Sequence, residues 1–306
     1  MRVLLATDGS KDAKTALRTA SRLVRKEGNQ FHVLCVAPEI IVPRPGGRQK
    51  SRMTNQIRER YRQRIQQDTK EILEEAREIM RAEGVAAETL AEIGSPSEVI
   101  VRMADDYDLT VVGAHGRYER TQPGIGPVAS QVVEHASGAV LVARDLVAES
   151  SFRILVGVDG SLASEAALDM LSSNYNVITS EITLMHVIEM PWLRLGLQQQ
   201  WIDYAAEDVD RSEYQIGLEG ELRLEAEEVL ERARLRLEEY GLSAETMVGE
   251  GNPGQELLSE AIRGEYDLVV LGATGLADIK RAMLGSVSVK VAHNAPCSVL
   301  VVKNRL

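Results

Sequence analysis

The stretch "YDLTVVGAHG" at residues 107–116 is the clearest indication of how the chain is organised, because it returns as "YDLVVLGATG" at 266–275. In both copies an apolar, β-branched run ends in two glycines, which is typical of a buried strand that leads into a tight turn. A second matched pair precedes each copy, where "RVLLATDGS" at 2–10 corresponds to "RILVGVDGS" at 153–161. Two matched pairs in the same order indicate an internal repeat.

The repeat predicts two similar domains, at residues 1–147 and 152–306. In the first domain, apolar runs that predict strands alternate with amphipathic stretches that predict helices. The expected strands lie at 2–7, 31–37, 86–92, 108–113 and 139–143, and the expected helices at 11–27, 54–83, 96–105 and 127–137. This alternation predicts the α/β class, each domain having a five-stranded, mainly parallel sheet with helices on both faces.

The longest expected helix, at 54–83, carries apolar residues at three- and four-residue spacing. These residues are Ile57, Tyr61, Ile65, Ile72, Ala76 and Ile79. They predict one helix face that packs on the core, and Gly84 is expected to end the helix.

Composition excludes several classes of protein. The net charge of −11 argues against nonspecific nucleic-acid binding, and no apolar run approaches the roughly 18 residues that predict a membrane span. The amino terminus lacks the pattern of a signal peptide. The two cysteines, Cys35 and Cys297, lie in apolar runs, which predicts buried thiols and a reducing, cytoplasmic location.

The glycine loop after the second copy is the strongest functional signal. The stretch "GATGLADIKRAMLGSVSVK" at 272–290 ends in a predicted helix, with Ser286 and Ser288 at its start. Phosphate binding requires close backbone approach and a helix N-terminus, and glycines with open N–H groups supply both. A purely structural role, in which the glycines turn the chain and the serines cap the helix, stays open at this point.

Other nucleotide and catalytic signatures are absent from the sequence. There is no GxxxxGK[ST] loop, and "TDGS" stands where a GxGxxG fingerprint, SGGxD loop or HxGH motif would follow the first strand. The five histidines never occur at metal-ligand spacing, and His186 is interpreted as a core residue. No catalytic residue and no protein-held metal are expected, although Asp278, Lys280 and Arg281 leave slow ATP turnover open.

The spacing G-x2-G-x9-G-[ST], at Gly272, Gly275, Gly285 and Ser286, resembles the ATP-binding motif of the universal stress protein (UspA) family. The likeness includes the opening "DGS" loop and the last apolar strand in both halves. The chain therefore resembles a tandem universal stress protein, which implies Rossmann-like domains of the adenine nucleotide alpha hydrolase type.

The resemblance also implies residue roles in the second half. Asp159 would face the ribose, while Val158 and Val187 would line the adenine pocket through their backbones. The phosphates would be wrapped by Gly272, Thr274, Gly275, Gly285, Ser286, Val287 and Ser288. A divalent cation, Mg²⁺ or Mn²⁺, would be held by the phosphates. From the residues alone, Asp159 is equally suited to cap the helix that follows.

The first half keeps the glycines of this motif but loses its hydroxyls. Its weaker candidate site comprises Asp8, Val36, Gly113, His115, Gly116 and Gly126. Pro127 and Ala129 stand where the second half has Ser286 and Ser288, and proline has no N–H to donate. Three lost hydrogen bonds predict affinity weaker by roughly two to three orders of magnitude. Compensation by His115, Arg117 and Arg120 stays open.

We therefore expect an ATP-binding protein with a regulatory, stress-response role and one competent site. A nucleotide-free assembly module and a slow ATP-hydrolysing enzyme are the alternatives. The apolar last strands predict that the two domains pair with each other, and a homodimer is a further expectation. The basic segment 44–64 and the acidic segment 201–215 are expected to face each other. No membrane or specific nucleic-acid partner is expected.

Overall fold

The computed structural model describes residues 1–39, 48–117, 124–146, 151–189, 211–275 and 284–303, without the side chains of 48–58 and 211–218. The chain divides into two compact units, Met1–Asp145 and Leu146–Leu306. Within these described ranges, no helix is both long enough and apolar enough to cross a membrane.

The first unit is a five-stranded parallel sheet flanked by helices. Its strands are β1 (Arg2–Ala6), β2 (Gln30–Ala37), β3 (Ala87–Ile93), β4 (Leu109–Gly113) and β5 (Ala139–Ala143). Its helices are α1 (Lys11–Leu23), α2 (Arg48–Ala82), α3 (Pro96–Ala104) and α4 (Pro127–His135). The strand order is β3-β2-β1-β4-β5, and every pairing in it is parallel.

The second unit repeats this arrangement. Its strands are β6 (Arg153–Gly157), β7 (Glu181–Ile188), β8 (Glu245–Glu250), β9 (Leu268–Gly272) and β10 (Ser298–Val302). Its helices are α5 (Leu162–Asn174), α6 (Arg211–Glu239), α7 (Pro253–Arg263) and α8 (Ser286–Asn294). The strand order is β10-β9-β6-β7-β8, again all parallel. The predicted α/β class and the two similar domains are confirmed.

Two details of the helices differ from the sequence-based expectation. Helix α1 ends at Leu23, before the expected residue 27, because Val24 adopts an extended conformation. Tyr61 of α2 is 60% exposed, whereas Met80, absent from the expected apolar face, is fully buried. The core-facing stripe therefore lies in the carboxyl-terminal half of α2. Gly84 ends this region at φ +73°, as expected.

Strand order fixes where a ligand can bind in each unit. The chain leaves β6 and passes to β7 on one side, while β9 lies on the other side of β6. The order reverses here, and in open parallel sheets the crevice beyond the carboxyl ends of such strands is the usual ligand site. The equivalent crevice of the first unit lies between β1 and β4.

Candidate functional site

A cavity of about 520 Å³ opens at the carboxyl ends of β6, β7 and β9 in the second unit. All ten residues predicted for the nucleotide site line it. They are Val158, Asp159, Val187, Gly272, Thr274, Gly275, Gly285, Ser286, Val287 and Ser288. The fold thus gathers these ten residues from four separate stretches of sequence at one crevice.

The turn after β6 forms one wall of this cavity. The Asp159 Oδ1 accepts a hydrogen bond from the Ser161 N–H at 3.0 Å, and Gly160 adopts φ +76°, which glycine permits without strain. The N-cap of α5 is Ser161, whose Oγ accepts from the Ser164 N–H. The helix-capping role considered for Asp159 therefore belongs to Ser161, and Asp159 organises the turn instead.

Two glycines of the loop after β9 lie in close contact with the start of the unit. A Cβ on Gly275 would lie 2.7 Å from the Asp159 Oδ2, so a larger residue there must displace the end of this side chain or the loop. A Cβ on Gly272 would lie 2.6 Å from backbone atoms of Ala163 and Ser164 at the start of α5. Gly272 thus has a packing requirement that is independent of any ligand.

The start of α8 supplies open backbone donors. Gly285 is the N-cap residue and has no side-chain cap, and the first intrahelical bond runs from the Val289 N–H to the Gly285 carbonyl at 3.0 Å. The N–H groups of Ser286, Val287 and Ser288 therefore have no partner within the helix. Since these residues line the cavity, the positive end of the helix dipole faces it.

The two serines of this helix behave differently. Ser286 is exposed at the first helical position, so its hydroxyl is free to face a ligand. Ser288 is only 4% exposed, and its hydroxyl donates to the Gly272 carbonyl at 2.7 Å. The phosphate-donor role expected for the Ser288 hydroxyl does not match this arrangement, because a buried hydroxyl uses its one proton on the nearest acceptor.

The opposite end of the cavity is built on β7. The Val158 N–H donates to the Met185 carbonyl at 2.9 Å, and the Val158 carbonyl lies 2.8 Å from the His186 Nδ1. Both backbone groups of Val158 thus have protein partners. Residues two apart in a parallel strand point their backbone groups to the same side. The Val187 N–H and carbonyl therefore point to the same side as those of Met185, towards β6, but β6 has already ended at this level. Val187 is therefore the residue here with a backbone open to a ligand.

The structure adds residues that sequence reasoning missed. His186, interpreted from sequence as a core residue, is half-buried and lines the cavity, although its Nδ1 has the expected satisfying partner. Other cavity-lining residues that sequence reasoning did not identify include Glu189, Leu222, Glu225 and Leu257. Glu189 could have been predicted from sequence, because it lies two residues beyond Val187 and alternate residues of a strand lie on the same side. Nothing in the sequence indicated the contribution of α6.

The corresponding cavity of the first unit is much smaller. It measures about 130 Å³ and lies at the carboxyl ends of β1, β2 and β4. The six residues predicted for the weaker site, Asp8, Val36, Gly113, His115, Gly116 and Gly126, all line it. Here α4 begins at Pro127, after an uncapped Gly126. One backbone donor and two hydroxyls of the second unit are therefore missing.

The basic residues considered as compensation in the first unit are engaged elsewhere. The His115 N–H donates to the Asp12 carboxylate at 3.1 Å, and the His115 Nδ1 lies 3.2 Å from the same oxygen. The Arg117 N–H donates to the Asp8 Oδ2 at 3.0 Å. Its guanidinium lies against Gly9, where a Cβ would be 2.6 Å from the Arg117 Nη2. Arg120 lies outside the described residues.

Several sequence-based expectations fall where the structure gives no description. Asp278, Lys280 and Arg281 lie outside the described ranges, as do the acidic segment at 201–210 and the side chains at the start of α2. Among the described residues, no group of three or more His, Cys, Asp or Glu side chains is arranged to hold a metal ion.

Sequence comparison finds relatives that match the whole chain and relatives that match about half of it. A universal stress protein of Mycolicibacterium smegmatis is 26% identical over 309 residues, which cover 99% of this chain and 97% of that protein. Universal stress protein YxiE of Bacillus subtilis is 30% identical over 151 residues, which cover 49% of this chain and 98% of YxiE.

Structural comparison gives the same fold. A universal stress protein from Archaeoglobus fulgidus has a TM-score of 0.65 and 21% identity to this chain, covering 99% of it and 98% of that chain. A model of the universal stress protein family matches at residues 1–144 and again at 151–303. Since these two matches span nearly the whole sequence, the chain belongs to the universal stress protein family and carries two such domains in tandem.

Proposed function

We propose that the second unit binds an adenine nucleotide, ATP, and that the first unit binds it far more weakly. The single observation that carries this proposal is the convergence of ten motif residues on one cavity of about 520 Å³. That volume lies in the range of small-molecule sites, roughly 300–1,000 Å³. The 130 Å³ cavity of the first unit lies below it.

The phosphates occupy the end formed by the glycine loop and α8. The unpartnered N–H groups of Ser286, Val287 and Ser288 donate to phosphate oxygens, and the helix dipole opposes their negative charge. The Ser286 hydroxyl adds one donor. The Ser288 hydroxyl instead holds the Gly272 carbonyl, so Ser288 contributes through its backbone.

The nucleoside lies between this loop and the end of β7. The Asp159 Oδ2, on which Gly275 rests, accepts from a ribose hydroxyl. The open backbone groups of Val187 pair with the edge of the adenine. The apolar side chains of Leu222 and Leu257, on two different helices, line the cavity and contact the base.

A divalent cation, Mg²⁺ or Mn²⁺, accompanies the triphosphate and is bound by phosphate oxygens. Magnesium commonly binds in this way, through substrate phosphates and water. The Asp159 Oδ1 accepts from the Ser161 N–H. Among the described residues its Oδ2 has no hydrogen-bond partner, so Oδ2 is the oxygen assigned to the ribose.

The test is thermal denaturation of the full chain with and without ATP. A ligand that binds only the folded state adds about 2.7 kcal/mol at a concentration one hundred times its Kd, so ATP should raise the melting temperature. Nucleotide released by heating the purified protein gives an independent readout. A chain that carries no nucleotide and whose melting curve ATP never moves would contradict the proposal.

Three wider expectations are also proposals. Family membership supports a regulatory role in the stress response, and two cysteines buried in apolar surroundings, Cys35 and Cys297, support a reducing, cytoplasmic location. The continuously apolar last strands, 139–143 and 298–302, support pairing of the two domains, and a homodimer is proposed with them. Size-exclusion chromatography with light scattering tests the homodimer.

A further inference from the structure

The cavity of the second unit has two chemically opposite ends. One end presents the N–H groups of α8, while the other contains two carboxylates, Glu189 and Glu225. Glu189 follows β7 and is half-buried, whereas Glu225 lies on α6 and is exposed. A ligand that fits both ends carries its phosphates on one side only and offers hydrogen-bond donors on the other.

Glu189 has the better position to read such donors. It lies two residues beyond Val187, whose backbone faces the space past the end of β6. Within the described parts of the chain, Glu189 has neither a hydrogen bond nor an ion pair. A half-buried carboxylate without a partner is poorly compensated for its lost hydration, so it gains from a donor supplied by the ligand.

The neighbouring backbone leaves room for a second acceptor of ligand hydrogen bonds. The Val158 carbonyl at this end of the cavity already accepts a hydrogen bond from the His186 Nδ1 at 2.8 Å, which makes it a weaker acceptor for a ligand. An adenine amino group carries two hydrogens, and the Val187 backbone accepts only one of them. The second hydrogen needs another acceptor near the end of β7.

We propose that Glu189 is a specificity-determining residue, which accepts a hydrogen bond from the exocyclic amino group of the bound base. The inference rests on the proposed nucleotide site. Glu225 adds negative charge at the rim, where solvent screening reduces its effect. The first unit has no counterpart, because Pro38 stands at the position of Glu189.

A double-mutant cycle between protein and ligand tests this assignment. The ligands are ATP and purine riboside triphosphate, which is ATP without the 6-amino group. The variants are Glu189→Ala and a matched control, Glu228→Ala, which removes an exposed carboxylate of α6 that does not line the cavity. Dissociation constants are measured by calorimetry on the full chain.

The wild type and Glu228→Ala should prefer ATP over purine riboside triphosphate about tenfold more strongly than Glu189→Ala does, as expected for one hydrogen bond to a charged acceptor. Glu189→Ala should keep only the smaller ATP preference that the hydrogen bond to the Val187 backbone supplies. An ATP preference that persists unchanged in Glu189→Ala overturns the assignment while leaving the nucleotide site intact. A wild type that binds neither ligand overturns the proposed function, and this inference with it.

Discussion

The two units share one scaffold but differ in what they offer a ligand. Both keep the glycine that lets the helix after the first strand approach the fourth, since a Cβ on Gly113 or Gly272 would clash with backbone atoms of α1 or α5. Only the second unit keeps serines at the start of the last helix. Glycines needed for packing thus persist in both units, so the donors, rather than the glycines, distinguish the two cavities.

A second difference lies at equivalent positions of the second strand. Cys35 of β2 and His186 of β7 occupy the same place in the repeat. Cys35 is buried at 3% exposure, whereas His186 reaches the cavity and holds the Val158 carbonyl. The first unit also places Asp12 where the second has Ala163, and this carboxylate takes the His115 N–H. Negative charge there opposes the binding of phosphates.

The largest expected effect comes from the glycine that rests on Asp159. Gly275→Val should weaken ATP binding at least about a hundredfold, because a Cβ 2.7 Å from the Asp159 Oδ2 displaces either the loop or the carboxylate. Calorimetric titration of the full chain measures this.

Gly116→Val is the matched control in the first unit, where the corresponding Cβ would lie 3.2 Å from the Asp8 Oδ2. It should leave the high-affinity site unchanged. Equal losses of affinity in both variants would refute the assignment of the site to the second unit.

Exchanging the first residues of α8 and α4, Ser286 and Pro127, should lower the ATP affinity of the second unit and raise that of the first. Ser286→Pro removes one N–H and one hydroxyl, so ATP affinity should fall about ten- to a hundredfold while the helix survives, since proline is tolerated at this position. Pro127 at the equivalent position of α4 shows that this scaffold accepts it.

The converse variant is Pro127→Ser in a Ser286→Pro background. It should recover only a few-fold in affinity, because Asp12 and the smaller cavity remain. Full recovery would show that the helix start alone decides between the units.

Ion pairs between the first helix and the long-helix region of each unit give a smaller effect, on stability. Arg236 of α6 makes a bidentate contact with the Asp169 carboxylate of α5 at 2.6 and 2.7 Å. In the first unit, Arg22 contacts Glu83 at 3.3 Å with both nitrogens. Arg236→Ala should lower the free energy of unfolding by about 1 kcal/mol, since the pair is partly exposed, and Arg22→Ala by less. Chemical denaturation of both variants measures these losses, and a larger loss for Arg22→Ala than for Arg236→Ala would contradict the prediction.

The smallest effect concerns pH and the buried thiol of the first unit. Burial, followed by the Asp8 carboxylate, raises the pKa of Cys35 from 9.0 to about 11. The raised pKa contributes stability that is complete below about pH 9 and is lost as the pH rises towards 11. Between pH 8 and pH 9.5 the free energy of unfolding of Cys35→Ala should therefore fall by about 0.8 kcal/mol less than that of the wild type. If the free energies of unfolding of the wild type and Cys35→Ala fell equally with pH, the prediction would be contradicted.

Much of the fold could be predicted from sequence, because its signals are local. The apolar runs and the repeat gave all five strands of the first unit, and Gly84 gave the end of α2. The prediction that Tyr61 packs on the core was wrong, because helical spacing alone cannot tell which turns of a long helix extend beyond the sheet. The site was predictable in part, because a family motif and parallel strand ends both point to one edge.

Local patterns were enough to predict the repeat and the α/β class, because periodicity and glycine spacing are properties of neighbouring residues. The ten residues that converge on the larger cavity were implied by the resemblance to the universal stress protein motif. The remaining contacts depend on packing. Tertiary structure committed the Ser288 hydroxyl to Gly272, turned Arg117 onto Gly9, and brought Glu189 and Glu225 to one cavity. Such assignments depend on distances between elements far apart in the chain, and a hydroxyl or guanidinium binds whichever partner the packing brings within reach.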